Sequence, residues 1–203
     1  MAKPKQKVKI VPNQNLSSAN FLSGYEKYFL PIVIAITFLC LSPSLQDKFT
    51  NLDDTQYLIE NPVVKDFNSE NLKTIFSEQF VGNYQPITML SYMIEYKLFA
   101  LNPFGYHLMN LLFHLLGTLF VFLIIKKLSG DDLIALITSL LFGIHPLHVE
   151  SVTWIAERKD VLYGFYFLWA LYLYIQSPTP SLPVREGESN TSPPRWGGFR
   201  MGS

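Results

Sequence analysis

Charge is what this sequence has least of. Charged residues make up 16% of the 203, and hydrophobic residues 49%, whereas soluble domains carry about 25% charge. An ordinary water-soluble domain is therefore excluded. Lys plus Arg and Asp plus Glu are 16 each, so the formal net charge is zero. Nothing in that balance supports bulk nucleic-acid binding. The single cysteine, Cys40, lies inside an apolar run. It excludes an intrachain disulfide and a thiolate metal cluster, and reads as a small core residue. Repeats of solenoid period are also missing.

What is present is apolar sequence gathered into long runs. The pattern predicts an all-α integral membrane protein of about four transmembrane helices, with a large first external loop that carries an interfacial amphipathic helix. Residues 1–24 form a basic arm with Lys3, Lys5, Lys7 and Lys9. A basic arm before a hydrophobic helix is the positive-inside signature and puts this end in the cytoplasm. The arm precedes the apolar core by some twenty residues and no small-x-small cleavage site stands out, so it reads as part of an uncleaved anchor. Span one covers about 28–45, with Pro31 tolerated in its first turn and Pro43 marking its exit.

The loop 46–103 is too long for a simple connection, and such loops are usually functional. It holds the adjacent acids Asp53 and Asp54, then the Asn61-Pro62 break, then a short helix through Phe76 with Ser69 and Asn71 as candidate caps. Pro86 to Leu101 reads as an amphipathic helix lying in the membrane interface, with Thr88, Ser91 and Glu95 on one side and Asn102 continuing that spacing. Span two covers about 104–125 and is closed by Lys126-Lys127. His107, Asn110 and His114 follow an i, i+3, i+7 spacing and make one polar stripe, which must face the bundle interior or a water-filled cavity. In the turn that follows, the pair Asp131-Asp132 reads as a helix cap. Span three covers about 132–146 and must stop near His145-Pro146. A polar external segment, 145–160, precedes a fourth span at 161–176. Counting crossings from a cytoplasmic start brings the Asp53-Asp54 loop and the 145–160 segment to the same external side.

From Ser177 the sequence becomes rich in Pro, Gly and Ser without hydrophobic periodicity, which predicts disorder over 177–203. The abrupt onset reads as a chain interrupted in mid-architecture by a frameshift or translated non-coding sequence, or as a short native tail.

Several ordered strings carry a family resemblance. They are Phe49-Thr50-Asn51-Leu52-Asp53-Asp54 with Tyr57 and Asn61-Pro62; Tyr84-Gln85-Pro86-Ile87-Thr88; Leu101-Asn102-Pro103-Phe104-Gly105-Tyr106-His107 with Asn110 and His114; His145-Pro146-Leu147-His148-Val149-Glu150-Ser151-Val152; and Trp154-Ile155-Ala156-Glu157-Arg158-Lys159-Asp160. Together, over about 49–174, they resemble the N-terminal part of the TMTC-like (transmembrane and tetratricopeptide-repeat) O-mannosyltransferases, bacterial relatives included. That family belongs to the GT-C class of multi-spanning glycosyltransferases. The resemblance implies transfer of a sugar, in this family mannose, from a polyprenyl-phosphate donor to a protein hydroxyl on the external face. It implies a lipid bilayer, a lipid-linked sugar and an acceptor protein as partners, and a bacterial inner membrane as the site. It also puts Asp53 and Asp54 in the loop where GT-C enzymes keep their catalytic acid. The sequence departs from the family at Gln85, where relatives often carry a basic residue. It also carries fewer spans than a GT-C fold, so the membrane domain at 25–176 is a partial one, and it has no tetratricopeptide repeats.

The chemistry of such a transfer needs a base for the acceptor hydroxyl and cations for the leaving phosphate. Asp53 or Asp54 can serve as base or as ligand of a divalent metal, and like charge between them can raise one pKa. Asp54 is favoured, although caps or a surface turn are the plain alternative. Arg158 and Lys159, at the external mouth of a span, suit the donor phosphate, with a salt bridge to Glu157 or Asp160 as the alternative. His145, His148 and Glu150 are candidates for a supporting or metal-binding role. His107 and His114 read as inter-helix hydrogen-bonding groups rather than haem ligands. Two other functions fit the same residues: a catalytically silent multi-pass membrane fragment, and a non-enzymatic transporter or assembly subunit. Against the transporter, its polar motifs lie in loops rather than in broken helices at the midplane.

Overall fold

The computed structural model describes residues 24–177. The basic arm and the tail at 178–203 lie outside them. Eight α-helices follow in order: α1 (Phe29–Leu41), α2 (Pro62–Lys65), α3 (Ser69–Ser77), α4 (Pro86–Phe99), α5 (Pro103–Ser129), α6 (Asp132–Gly143), α7 (Leu147–Thr153) and α8 (Arg158–Gln176). No strand is present among the described residues, whose only ladder contact is an isolated Phe80–Asn83 bridge.

Helix starts follow their caps. Asn61, Asn102 and Asp131 each accept from backbone N–H groups two residues on, and Asp131 also from Ile134 at 3.2 Å. At α3 the cap is Asn68 rather than Ser69 or Asn71. Its Oδ1 accepts from Asn71 N at 2.7 Å, so Asn71 supplies the donor. The α5–α6 reversal needs a left-handed residue, and Gly130 takes φ 68° there without the Cβ penalty.

Two stretches are long and apolar enough to cross a membrane, Glu26–Gln46 and Pro103–Ser129. A third is available if α6 and α7 count together, since they meet at a 60° bend. That bend is where His145-Pro146 breaks the helix, as its proline requires. The segment expected to be an external loop after span three is mostly helical, as α7 and a 3₁₀ turn at Ile155–Glu157. The fourth expected span starts at Arg158 rather than Val161 and has the length of a span, 19 residues. It does not reach the apolarity of the other two, because Arg158, Lys159 and Asp160 fill its first turn and tyrosines interrupt the rest.

Packing falls into three layers. At one end Phe29, Phe122 and Ala135 join α1, α5 and α6. In the middle Leu41, Leu111, Val152 and Val161 join α1, α5, α7 and α8. At the other end a larger core gathers Tyr57, Leu58, Val64, Ile75, Met89, Tyr92, Met93, Tyr106, Ile155 and Ala156. This last core sits under the long loop, so 46–103 is a folded cap and not a strand of irregular chain. Where α1 passes α5 and α6 the approach is very close. A Cβ added at Gly143 would lie 2.3 Å from Thr37 Oγ1 and 3.2 Å from Thr118 Cγ2. Small residues at a helix contact let backbones pack by van der Waals attraction where lipid supplies no hydrophobic drive.

The amphipathic helix α4 is turned opposite to a water-facing helix. Its polar Thr88 and Glu95 are buried, while Ile87, Ile94 and Leu98 are exposed along one stripe. An outward apolar stripe with polar residues inside is the pattern of a helix whose outer solvent is lipid.

Candidate functional site

The two acids of the first loop have separate environments. Asp54 is fully buried. Its Oδ2 accepts from Thr50 N at 2.8 Å and Thr50 Oγ1 at 3.0 Å, and its Oδ1 accepts from Ala156 N at 2.9 Å. Three donors on one carboxylate make it a clamp between chain segments 102 residues apart. Asp53, one residue earlier, is half-buried and has no hydrogen-bond or ion-pair partner among the described residues. The chain leaves the pair through a π-helical turn, Thr55–Ile59, a rare geometry frequent at functional sites. Thus the expected meeting of the Asp53-Asp54 loop with the 145–160 segment takes place through Asp54, and Asp53 keeps its oxygens free.

Arg158 is the first residue of α8, as expected at the mouth of a span, but its side chain turns inward rather than toward a donor phosphate. It is fully buried, with all three guanidinium nitrogens engaged. Nε donates to Asn110 Oδ1 at 2.6 Å, Nη2 to the Tyr106 carbonyl at 2.8 Å, and Nη1 to Ser91 Oγ at 3.3 Å and to Glu95 Oε1 in an ion pair. Its Cζ also lies 5.0 Å from the Tyr92 ring centroid. The physical reason is that α8 begins at Arg158, under the cap core, so the side chain points between α4 and α5 and not outward. Glu95 pays for this burial in acidity. Loss of solvent, offset in part by Arg158, raises its pKa to about 7. Burial likewise pushes the Tyr92 phenol well above its ordinary value. Around this cluster Tyr92 Oη donates to the Ile155 carbonyl at 2.7 Å and Asn110 Nδ2 to the Trp154 carbonyl at 3.0 Å. The turn 154–158 is therefore held from α4, α5 and the first loop at once.

Lys159 is partly exposed and pairs with Glu157 at 2.7 Å. The stripe of α5 is divided. His107 and Asn110 lie under the cap, whereas His114 Nε2 contacts the Gly143 carbonyl at 2.9 Å and therefore carries the ring proton. His114 stacks on Phe142 and lies 5.3 Å from the His148 ring. These two histidines, with Ser151 and Asp160, form the polar part of a groove of about 420 Å³ between α5 and α8. Its other walls are apolar: Phe113, Gly117, Val161, Gly164, Phe165, Phe167 and Leu168.

His145, His148 and Glu150 do not gather as a metal site. Among the described residues no group of three His, Cys, Asp or Glu side chains is placed to hold a metal ion. Placed on α7 and just before it, His145 and Glu150 are exposed while His148 turns into the groove. The sequence reading missed Glu95 as the partner of Arg158, because an acid on a helix of mixed polarity looks solvent-facing. Gln85 stands out in the sequence only as a departure from the family, and Trp154 only as part of a motif. Both Gln85 amide atoms and Trp154 Nε1 are buried without a hydrogen-bond partner in the protein, which is rare for buried polar groups.

The fold and site define an all-α membrane protein in which one carboxylate clamps two distant segments, its neighbour has no partner among the described residues, and a largely apolar groove lies between α5 and α8. No family model and no solved structure matches the chain. Sequence similarity is informative. The chain is 33% identical over 162 residues to protein O-mannosyl-transferase TMTC3 of Homo sapiens, covering 74% of the chain and 17% of that protein. It is 33% identical over 150 residues to TMTC1 of Homo sapiens (68% and 17%), and 38% identical over 94 residues to tmtc2 of Xenopus laevis (46% and 11%), both also named protein O-mannosyl-transferases. Over these matched lengths the chain is a homologue of the TMTC protein O-mannosyl-transferases. It spans about 17% of the length of the first of these relatives.

Proposed function

We propose that the protein acts in mannosyl transfer from a polyprenyl-phosphate donor to protein hydroxyls on the external face of a bacterial inner membrane, as part of a GT-C-type glycosyltransferase whose amino terminus is cytoplasmic. The observation that carries the reading is the similarity to relatives whose names state protein O-mannosyl transfer.

In this reading the residues take separate roles, supported by which of their atoms are already engaged. Asp53, with free oxygens, takes the proton of the acceptor hydroxyl. The acceptor oxygen bonds to the sugar C1 as the bond from C1 to the lipid phosphate oxygen breaks, and that electron pair leaves with the phosphate. Lys159, next to the clamped turn, supplies positive charge to the departing phosphate. Asp54 and Arg158 act through position: each holds the turn 154–158, with both carboxylate oxygens of Asp54 and all three guanidinium nitrogens of Arg158 already engaged within the protein. The α5–α8 groove takes the isoprenoid chain against its aromatic and glycine walls, with His114, His148, Ser151 and Asp160 towards the polar head.

Membranes containing the protein, given radiolabelled polyprenyl-phosphate mannose and an acceptor, test the reading. Asp53→Asn is expected to lower transfer by roughly 100-fold or more with its melting temperature unchanged. Full transfer by that variant removes the base role. A Cβ at Gly164 meets nothing within 4 Å, so the side chain of Gly164→Leu can start from open space on the groove wall. It is expected to raise KM for the donor at little change in kcat; an unaltered KM takes the chain out of this groove.

A further inference from the structure

We propose that the cleft between α2 and α4 binds the phosphodiester headgroup of a bilayer phospholipid and thereby pins the cap to the membrane surface. The cleft has a volume of about 390 Å³ and is lined by Lys65, Asp66, Phe67, Met93, Tyr96 and Lys97. Lys65 is the last residue of α2 and Lys97 lies in the last turn of α4. The chain's first external loop is poor in lysine, yet two of its few lysines converge here. Neither makes an ion pair among the described residues. Lys97 instead holds its ammonium 5.5 Å from the Phe67 ring centroid, a contact that leaves its N–H donors available.

Charge and position narrow the ligand. Two lysines and one carboxylate leave the cleft at +1, which complements the single charge of a phosphodiester better than a dianionic phosphomonoester. The Asp66 carboxylate already accepts from Asn68 Nδ2 at 2.7 Å, and its remaining lone pairs suit the hydroxyl or ammonium of a headgroup. On α4, Lys97 adjoins the exposed stripe Ile87, Ile94 and Leu98, so its stem follows the apolar surface while its ammonium reaches the headgroup layer. Phe67, half exposed on the opposite wall, adds an amphipathic ring at the same level. This inference rests on α4 lying in the interface and is independent of any transfer reaction.

The full chain, purified in mild detergent, is titrated with phosphatidylglycerol and followed by native mass spectrometry and thermal melting. One tightly retained lipid is expected. Lys65→Gln with Lys97→Gln is expected to lose retention by roughly tenfold or more, while Lys73→Gln, a lysine exposed on the same loop, keeps it. Equal retention in the double glutamine variant overturns the assignment. Inorganic phosphate added at the same concentration is expected to give no stabilisation; equal stabilisation makes this a free-anion site and overturns the lipid. Lys65→Arg with Lys97→Arg keeps both charges and is expected to keep the lipid, and loss from it too assigns the effect to packing and overturns the charge argument. Because these readouts need no sugar transfer, a failure here and a failure of the transferase reading are seen separately.

Discussion

Substitution of Glu95 by glutamine is the sharpest probe of the buried cluster. Glu95 is nearly inaccessible, with its side chain 3% exposed, and faces Arg158. Burial raises its pKa from 4.5 to about 7 against the pull of Arg158. The folded protein therefore holds a proton on this group more tightly than the unfolded chain does. A carboxyl shifted in this direction gives stability that is full below pH 4.5 and is lost as pH rises to about 7. At ~1.4 kcal/mol per pH unit the loss is roughly 3 kcal/mol. For a chain of this size that corresponds to about 6–12 °C in Tm. Glutamine keeps an acceptor for Arg158 Nη1 and cannot titrate. The assay is thermal unfolding in detergent, read by tryptophan fluorescence between pH 4.5 and 8, with the variant subtracted from the parent to cancel all other titrations. The difference is expected to slope against the parent as pH rises to 7 and then flatten. A flat difference across that range refutes the account of Glu95 as a carboxyl displaced by burial. So does a slope of the opposite sign, since it requires a carboxyl pKa lowered by Arg158.

Other perturbations follow from the same contacts. Asp54→Ala leaves two backbone N–H groups and the Thr50 hydroxyl without their acceptor, and should cost about 3–5 kcal/mol by denaturant unfolding. Asp53→Asn, in contrast, should stay within about 0.5 kcal/mol of the parent. Gly143→Ala drives a methyl into Thr37 and Thr118, at about 1–3 kcal/mol. Adding Thr37→Ala should recover part of that loss, because Thr37 Oγ1 is the nearest atom and has no hydrogen bond to lose. Tyr92→Phe removes the donor to the Ile155 carbonyl and should cost about 1 kcal/mol, seen as faster hydrogen exchange in the turn 154–158.

The linear chain determined the class of this protein and the position of its helices. Low charge and long apolar runs require lipid as solvent, and Asn102, Asp131, Pro86 and the His145-Pro146 break announce helix boundaries by local stereochemistry alone. The Asp54–Ala156 hydrogen bond joins the first loop to the segment before α8, a contact between the two segments that the sequence reading placed together. What the chain could not disclose is which polar groups answer one another. Asp53 and Asp54 are identical in type and adjacent, and only the burial of Ala156 beneath the cap distinguishes clamp from free acid. Arg158 has the composition of a phosphate ligand, and only the helix start that turns it toward Glu95, Asn110 and Tyr106 makes it an internal brace. Partner choice at this range depends on where distant helices cross. Side-chain spacing along one helix defines a face, and tertiary packing alone decides what that face meets.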